Sequence, residues 1–288
     1  MPPKKPQPAP ELRKVPDILV GADPELFVTE NNQFRSAYGL IPGTKTEPFP
    51  VDNGAVQVDG LALEFNIAPA QTAEHFVQNI NSMLMKLREM VPVNYHLSSA
   101  ASAKFAPEYL AAQPYEALLL GCDPDFNAYT MAPNPPPEAD SVYRVAGGHV
   151  HVGWTKDADI FDKEHRLACA SLVKYMDQYL GVPSINFDDD KIRRKWYGKA
   201  GAFRPKPYGV EYRVLSNFWI GNAAYIHWVF IQTKRAFAAY SKEGADLPDY
   251  RDPLAEFKGR YKQTPQMIID NMEQYLARDF TIRYGAGV

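Results

Sequence analysis

The chain has 288 residues, 31 basic against 34 acidic side chains, a net charge of -3 and 45% hydrophobic content. That is enough apolar material for a substantial core, and it excludes a global field drawing the protein to nucleic acid or anionic lipid, so any basic site has to be local. The only cysteines, Cys122 and Cys169, exclude a disulfide framework, and no apolar run reaches the ~20 residues that span a bilayer, so a reducing, cytoplasmic setting is expected.

In chain order, "MPPKKPQPAP" is basic and proline-rich with no apolar segment behind it. Residues 1–15 therefore read as a flexible tail ahead of one folded domain, 16–288, that no linker divides. "DILVGADPELFVTENNQF" reads as an apolar strand turning at Glu30 to Asn32, where adjacent asparagines suit a hairpin. A Pro/Gly-rich loop spans Gly39 to Gly54. "VQVDGLALEFNIAPA" then alternates as one strand, with Leu61, Leu63, Phe65 and Ile67 on one face and Glu64 and Asn66 on the other. Thr72 can cap a helix whose Phe76, Ile80, Met83, Leu84, Leu87 and Val91 recur at helical spacing, and Pro92 stops it.

From Val93 to Tyr143 the pattern is short strands and loops. Here "GCDPDF", Gly121 to Phe126, echoes "GADPEL", Gly21 to Leu26, which reads as shared Asp-Pro turn chemistry rather than duplication. "RVAGGHVHVGW" follows, with His149 and His151 two apart on an extended segment, hence on one side of it. A helix is expected from about Lys163 to Leu180, then the basic loop "RRKWYGKAGAFRPKP" and the strand "YGVEYRVLSNF". "NAAYIHWVFIQTKRAFAAY" and "TPQMIIDNMEQYLARDF" read as two closing helices. The absence of a regular βαβ rhythm favours an α+β fold, a largely antiparallel sheet with helices on one face.

Alternation also collects polar residues. Asp23 and Glu25 share a face, with Pro24 between them arguing for an edge or a bulge. Glu64, and with it Asp59, lies on the second strand, and Glu211 with Arg213 on a later one. A lone buried acid is usually an ion-pair partner, but three strands each offering one suggest a common site. Carboxylates with a neutral imidazole make an oxygen-rich site suited to Mg²⁺ or Mn²⁺, and neither H-E-x-x-H nor a cysteine pair argues for zinc. Phosphates would find positive partners in Arg193, Arg194, Lys195, Lys199, Arg204 and Lys206. Neither a P-loop nor a dinucleotide fingerprint is present. Cys122 and Cys169 read as core residues, and His75, His96, His165 and His227 have no metal spacing.

The order of "GADPELFV", "LEFNIAP", "GGHVHVG", a basic loop and "YGVEYRVLSNFW" resembles the glutamine synthetase and glutamate-cysteine ligase superfamily, in particular its phage-encoded carboxylate-amine ligases of the second type. The resemblance runs from Gly21 to Phe218. It implies a glutamine synthetase-like curved antiparallel sheet forming one ligase-like catalytic domain. It further implies that ATP and Mg²⁺ (or Mn²⁺) serve to phosphorylate a carboxylate that an amine then attacks. Carried over, Asp23, Glu25, Glu64, His149 and Glu211 would hold metal, and His151 would orient His149 or meet the substrate. Arg194, Lys199 and Arg204 would hold ATP phosphates, and Arg213 would meet the acyl phosphate. Asp23 stands where many relatives place Glu, which shortens its reach. The partners implied are a small-molecule or peptide carboxylate and an amine, with a modified nucleotide among the substrates considered and a host cytoplasm if the gene is a phage's. A metal-dependent hydrolase and a ligase-like scaffold with a structural, virion role are the alternatives. Sequence leaves the acid, the amine, the general base and the oligomeric state open.

Overall fold

A twelve-residue strand, β1 (Leu19–Glu30), organises the molecule by changing partners along its length. The computed structural model describes residues 17–119, 125–135, 142–188 and 190–243, and the structural statements below concern these. The other strands are β2 (Gln33–Arg35), β3 (Phe49–Val51), β4 (Gly54–Asp59), β5 (Ala62–Ile67), β6 (His96–Ser98), β7 (Ser102–Lys104), β8 (Phe126–Asn127), β9 (Tyr143–Val145), β10 (Gly148–Gly153), β11 (Ala202–Lys206) and β12 (Gly209–Tyr212). The main sheet runs β3-β4-β5-β1-β10-β12-β11-β8, with β2 and β6 pairing the far end of β1, while β7 and β9 form a separate pair. Every ladder between named strands is antiparallel.

The helices are α1 (Ala73–Met90), the short α2 (Pro107–Ala111) and α3 (Tyr115–Leu118), α4 (Lys163–Met176), the short α5 (Val182–Ser184) and α6 (Arg193–Trp196), and α7 (Ala223–Glu243). α1 begins where the sequence places it: Thr72 Oγ1 accepts from the His75 amide at 3.2 Å. Its buried stripe, Phe76, Ile80, Met83 and Leu87, faces the sheet, and Phe76 stacks on Trp219. Each such side chain contributes about 1.5–3 kcal/mol when fully buried. From the strands, Val20, Ala22, Phe65, Val150, Val152 and Val210 enter the same core, together with α4 and α7. The α+β class and the antiparallel sheet therefore stand, with the long helices on one face.

α4 runs on into a π-helical turn, Asp177–Gly181, beneath β12. Asp177 accepts from the Tyr212 hydroxyl at 2.7 Å and the Tyr129 hydroxyl at 2.9 Å. A Cβ on Gly181 would lie 2.3 Å from the Tyr212 hydroxyl, so the close approach requires glycine.

Several local expectations change. "VQVDGLALEFNIAPA" is a hairpin, β4 and β5, because Gly60 at φ +60° reverses the chain. Leu61 then falls in the turn and joins a second apolar cluster with Phe27 and Phe105. The Gly39 to Gly54 loop contains β3. Pro24 lies in a central strand: β5 pairs β1 only at Glu25 and Leu26, so no β5 partner needs the N–H that proline lacks. The basic loop is half structured, because Arg204 and Lys206 sit on β11. Cys169 is buried in the core. The expected tail at 1–15, Cys122 and the last helix, "TPQMIIDNMEQYLARDF", lie outside the described residues.

Candidate active site

The period of two puts alternate residues of β1, β5, β10 and β12 on the sheet face away from the long helices. Register then aligns them across strands: Glu25 pairs with Glu64, Asp23 with His149, and His151 with Glu211, which in turn pairs with Arg204. Residues far apart in sequence thus form one row of acids, imidazoles and cations. Asp23, Glu25, Glu64, His149, His151, Glu211 and Arg213 all belong to it.

At its centre Asp23 Oδ1 lies 3.0 Å from His151 Nε2 and 3.3 Å from His149 Nδ1. His149 Nδ1 is 3.6 Å from Glu211 Oε1. Glu211 is fully buried and meets Lys206 Nζ at 2.8 Å, Arg204 Nη1 at 3.4 Å and Arg213 Nη1. The Gly147 amide donates to Glu25 Oε2 at 2.7 Å, and Gln57 Nε2 donates to Glu64 Oε2 at 2.6 Å. Asp23, His151 and Glu211 each offer one ligand atom, all within 4.8 Å of one another. Asp23 Oδ1 and His151 Nε2 are enclosed atoms without a well-formed hydrogen bond.

The acids are under electrostatic stress. Burial, then the Asp59 charge, pushes the Glu25 carboxyl up to about 7. Burial, then Asp23, Glu25 and Asp59, pushes Glu64 well above the usual carboxylate range. Such groups take either a proton or a cation. Asp23 differs: burial raises it, but His151 and His149 beside it hold it well below its ordinary value. Burial and the Arg213 charge lower His149 to about 3, so it is neutral at pH 7. Burial lowers Lys206 as well, aided by Arg204. An oxygen-rich pocket with a neutral imidazole and stressed acids fits a hard divalent cation.

The glycines of "GGHVHVG" have steric reasons. A Cβ on Gly147 would lie 2.2 Å from His149 Nε2, and one on Gly148 would lie 2.2 Å from the Ser216 carbonyl oxygen. Bare backbone is what lets the imidazole fold back over its own strand.

The predicted phosphate cations separate. Arg204 faces Glu211 from β11. Arg194 instead meets Ser184 Oγ at 3.0 Å and Asp188 Oδ2 at 3.5 Å, and Lys199 is exposed. Arg213 bonds Glu211 and the Tyr197 hydroxyl, and its Nε lies 3.4 Å from Asp125 Oδ2. Sequence reasoning passed over Tyr197 and Tyr208. The Tyr197 hydroxyl lies 3.4 Å from His149 Nε2, and that of Tyr208 bonds His151 Nδ1. Loop residues carry no periodicity, so alternation could not find Tyr197. "KPYGV", a proline and a glycine flanking one tyrosine between two alternating runs, is a hairpin signal that would have placed Tyr208 at the tip beside β12.

Residues 140–242 match the model of the family described as Phage phiEco32-like COOH.NH2 ligase-type 2. The matched stretch is similar to a family of carboxylate-amine ligases and covers well under half of the chain. The matched segment carries His149, His151, Arg204, Glu211 and Arg213, while Asp23, Glu25 and Glu64 reach the same row from outside it. No curated protein matches the chain. Two solved structures share distant likeness. A bifunctional glutathione synthetase from Pasteurella multocida is 15% identical at a TM-score of 0.31, over 58% of this chain and 22% of that one. A novel glutamine synthase homolog is 10% identical at a TM-score of 0.39, over 94% and 68%. The chain thus spans about a fifth of the synthetase's length. Likenesses of this size say nothing about chemistry. Among the described residues no helix is long and apolar enough to cross a membrane.

Proposed function

We propose that the protein is an ATP-dependent, ADP-forming carboxylate-amine ligase using Mg²⁺ or Mn²⁺, with the sheet row as its active site. The observation that carries this is the row itself, stressed acids and imidazoles beside cations, with His149, His151, Glu211 and Arg213 inside the family-matched segment. Asp23, His151 and Glu211 hold the cation, and Glu25 and Glu64 extend the acidic wall. A bound divalent cation would neutralise these acids and the phosphate oxygens brought against them.

A carboxylate is a poor acyl donor because its leaving group is oxide, and phosphorylation replaces that with phosphate. Arg204 and Lys206 stand beside Glu211 to take phosphoryl oxygens, with Arg194 and Lys199 farther along the same segment. Arg213, held by three partners, acts as a fixed positive charge for the developing acyl phosphate rather than by swinging. The amine then attacks the acyl carbon and inorganic phosphate leaves. The substrates are a small or peptide carboxylate and an amine, in a cytoplasmic setting that is the host's if the chain is phage-encoded.

The test is a panel of ¹⁸O-carboxylate amino acids with ATP, Mg²⁺ and hydroxylamine as the surrogate amine. Hydroxamate, ADP and phosphate carrying one labelled oxygen are expected. AMP with pyrophosphate, or phosphate free of label beside hydroxamate, would sink the acyl-phosphate course.

A further inference from the structure

Arg193 is fully buried, and none of the steps above uses it. A side chain with no exposed surface cannot meet a phosphate, so its place in the basic run has another meaning. Its guanidinium spends its donors on neutral acceptors: Nη1 donates to the Val214 carbonyl at 2.7 Å and Nη2 to the Arg213 carbonyl at 3.4 Å. Burial drags its ordinarily higher pKa down to about 10, yet it remains a cation at pH 7. Enclosing a charge for two carbonyl bonds is costly, which calls for a return elsewhere.

We infer that Arg193 is a positioning residue that grips Arg213 at both ends: its fork takes the backbone carbonyls at Arg213 and Val214, and its plane braces the Tyr197 ring whose hydroxyl holds the Arg213 side chain. This rests on the ligase reading for the work that Arg213 does, and it names the device that keeps that charge in place.

The backbone end follows from where β12 stops. Its ladders with β10 and β11 reach no farther than Tyr212. Beyond it the Arg213 amide donates to Ala202 O, and the Leu215 carbonyl accepts from the Gly148 amide, both at 3.0 Å. Between these bonds the Arg213 and Val214 carbonyls turn to the Arg193 fork, which supplies the donors that a neighbouring strand would have given.

The side-chain end runs through Tyr197. Cζ of Arg193 lies 5.2 Å from its ring centre and Cζ of Arg213 lies 5.3 Å from it. The Tyr197 hydroxyl accepts from Arg213 Nη2, while Glu211 takes Nη1. Serving two consecutive carbonyls and a ring together needs a flat fork with several donors, whereas lysine offers one point charge. Gly198 leaves the room: a Cβ there would lie 2.1 Å from Arg193 Nη1, and φ at this residue is +67°.

The test watches Arg213 directly, in metal-free protein carrying ¹³C,¹⁵N-labelled arginine. Its two Nη signals, assigned with Arg213→Lys, should be resolved, because Glu211 and Tyr197 stop the guanidinium from turning about Nε–Cζ. Arg193→Lys retains the main-chain carbonyl that accepts from the Tyr197 amide at 2.8 Å and removes only the fork. It should speed the rotation roughly 10-fold or more, as should Gly198→Ala, which crowds Arg193 Nη1. In the hydroxamate assay Arg193→Lys should lower kcat roughly 100-fold, with the KM for ATP changed less than about 3-fold. A merely structural arginine would lower the melting temperature but leave rotation and kcat unchanged. Either quantity unchanged, a wild-type Arg213 that turns freely, or loss of the fold in both variants would overturn the proposal. A wild type that makes no hydroxamate would overturn the ligase reading, while the rotation rates would still decide the grip.

Discussion

Two acidic centres, one buried and one half-buried, lie on opposite faces of the sheet. On the helix side Asp177 stands alone, with two tyrosine hydroxyls for its two oxygens. On the open side Glu25 and Glu64 face each other across adjacent strands, Glu25 accepting from a backbone amide and Glu64 from a glutamine. Burial is the first cause of the raised carboxyls in all three, and Asp177 reaches about 6. The second cause separates them. Hydrogen bonds from Tyr212 and Tyr129 pull Asp177 back down, whereas neighbouring acids push Glu25 and Glu64 further up. Like-charge repulsion is what a bound cation removes most directly, and on the proposed function that sets Glu25 and Glu64 apart from Asp177.

The contrast can be broken at three points. The largest effect is expected at Glu211, where the row's own cations converge. Glu211→Ala leaves Arg213, Lys206 and Arg204 without their shared partner and should cost about 3–5 kcal/mol in a urea melt. A loss below about 1 kcal/mol would mean that those cations are not held by it. Glu25→Gln should instead stabilise the metal-free protein. Because the Glu25 carboxyl is raised to about 7, the folded state binds the proton more tightly than the unfolded one, so stability falls as pH climbs from about 4.5 to 7. At pH 8 the substitution should recover up to about 3 kcal/mol, at pH 4 almost nothing, and it should reduce stabilisation by Mg²⁺. Equal Mg²⁺ stabilisation of wild type and variant would remove Glu25 from the cation's surroundings.

Asp177→Asn should give the smallest change. Its carboxyl, raised to about 6, loses stability between about pH 4 and 6, and the variant should lack that slope, worth about 2–3 kcal/mol. Asparagine can still accept from one phenol and donate to the other, and Mg²⁺ stabilisation should be unchanged. A drop in Mg²⁺ stabilisation would dissolve the distinction between the two centres.

Much of the row is legible in the sequence, because a period of two decides which side chains share a face whatever the strands' order. Asp23, Glu25, His149, His151, Glu211 and Arg213 all follow from it. Glu64 does too, even though its strand is one arm of a hairpin, since Gly60 changes the direction of the chain and not the pleat. What alternation cannot supply is neighbourhood. Arg193 and Arg194 are adjacent, yet Arg193 is fully buried against the Val214 carbonyl while Arg194 turns to Asp188. The helical turn of α6 separates them, and nothing in a run of basic residues reveals its phase. The same limit hid Tyr197, whereas the hairpin signal around Tyr208 was there to be read.

The antiparallel order β5-β1-β10-β12 has a temporal consequence. On a ribosome, Glu25 and Glu64 are made early and can meet as soon as β1 and β5 pair, but His149 and His151 follow more than 80 residues after Glu64, and Glu211 and Arg213 later still. The nascent chain therefore holds this pair of acids before Arg193 and Arg213, which pull the Glu25 carboxyl back down, exist. Sequence separations of this size slow closure of the sheet. The family-matched segment made alone would lack Asp23, Glu25 and Glu64, so the row is complete only when the last of these strands docks.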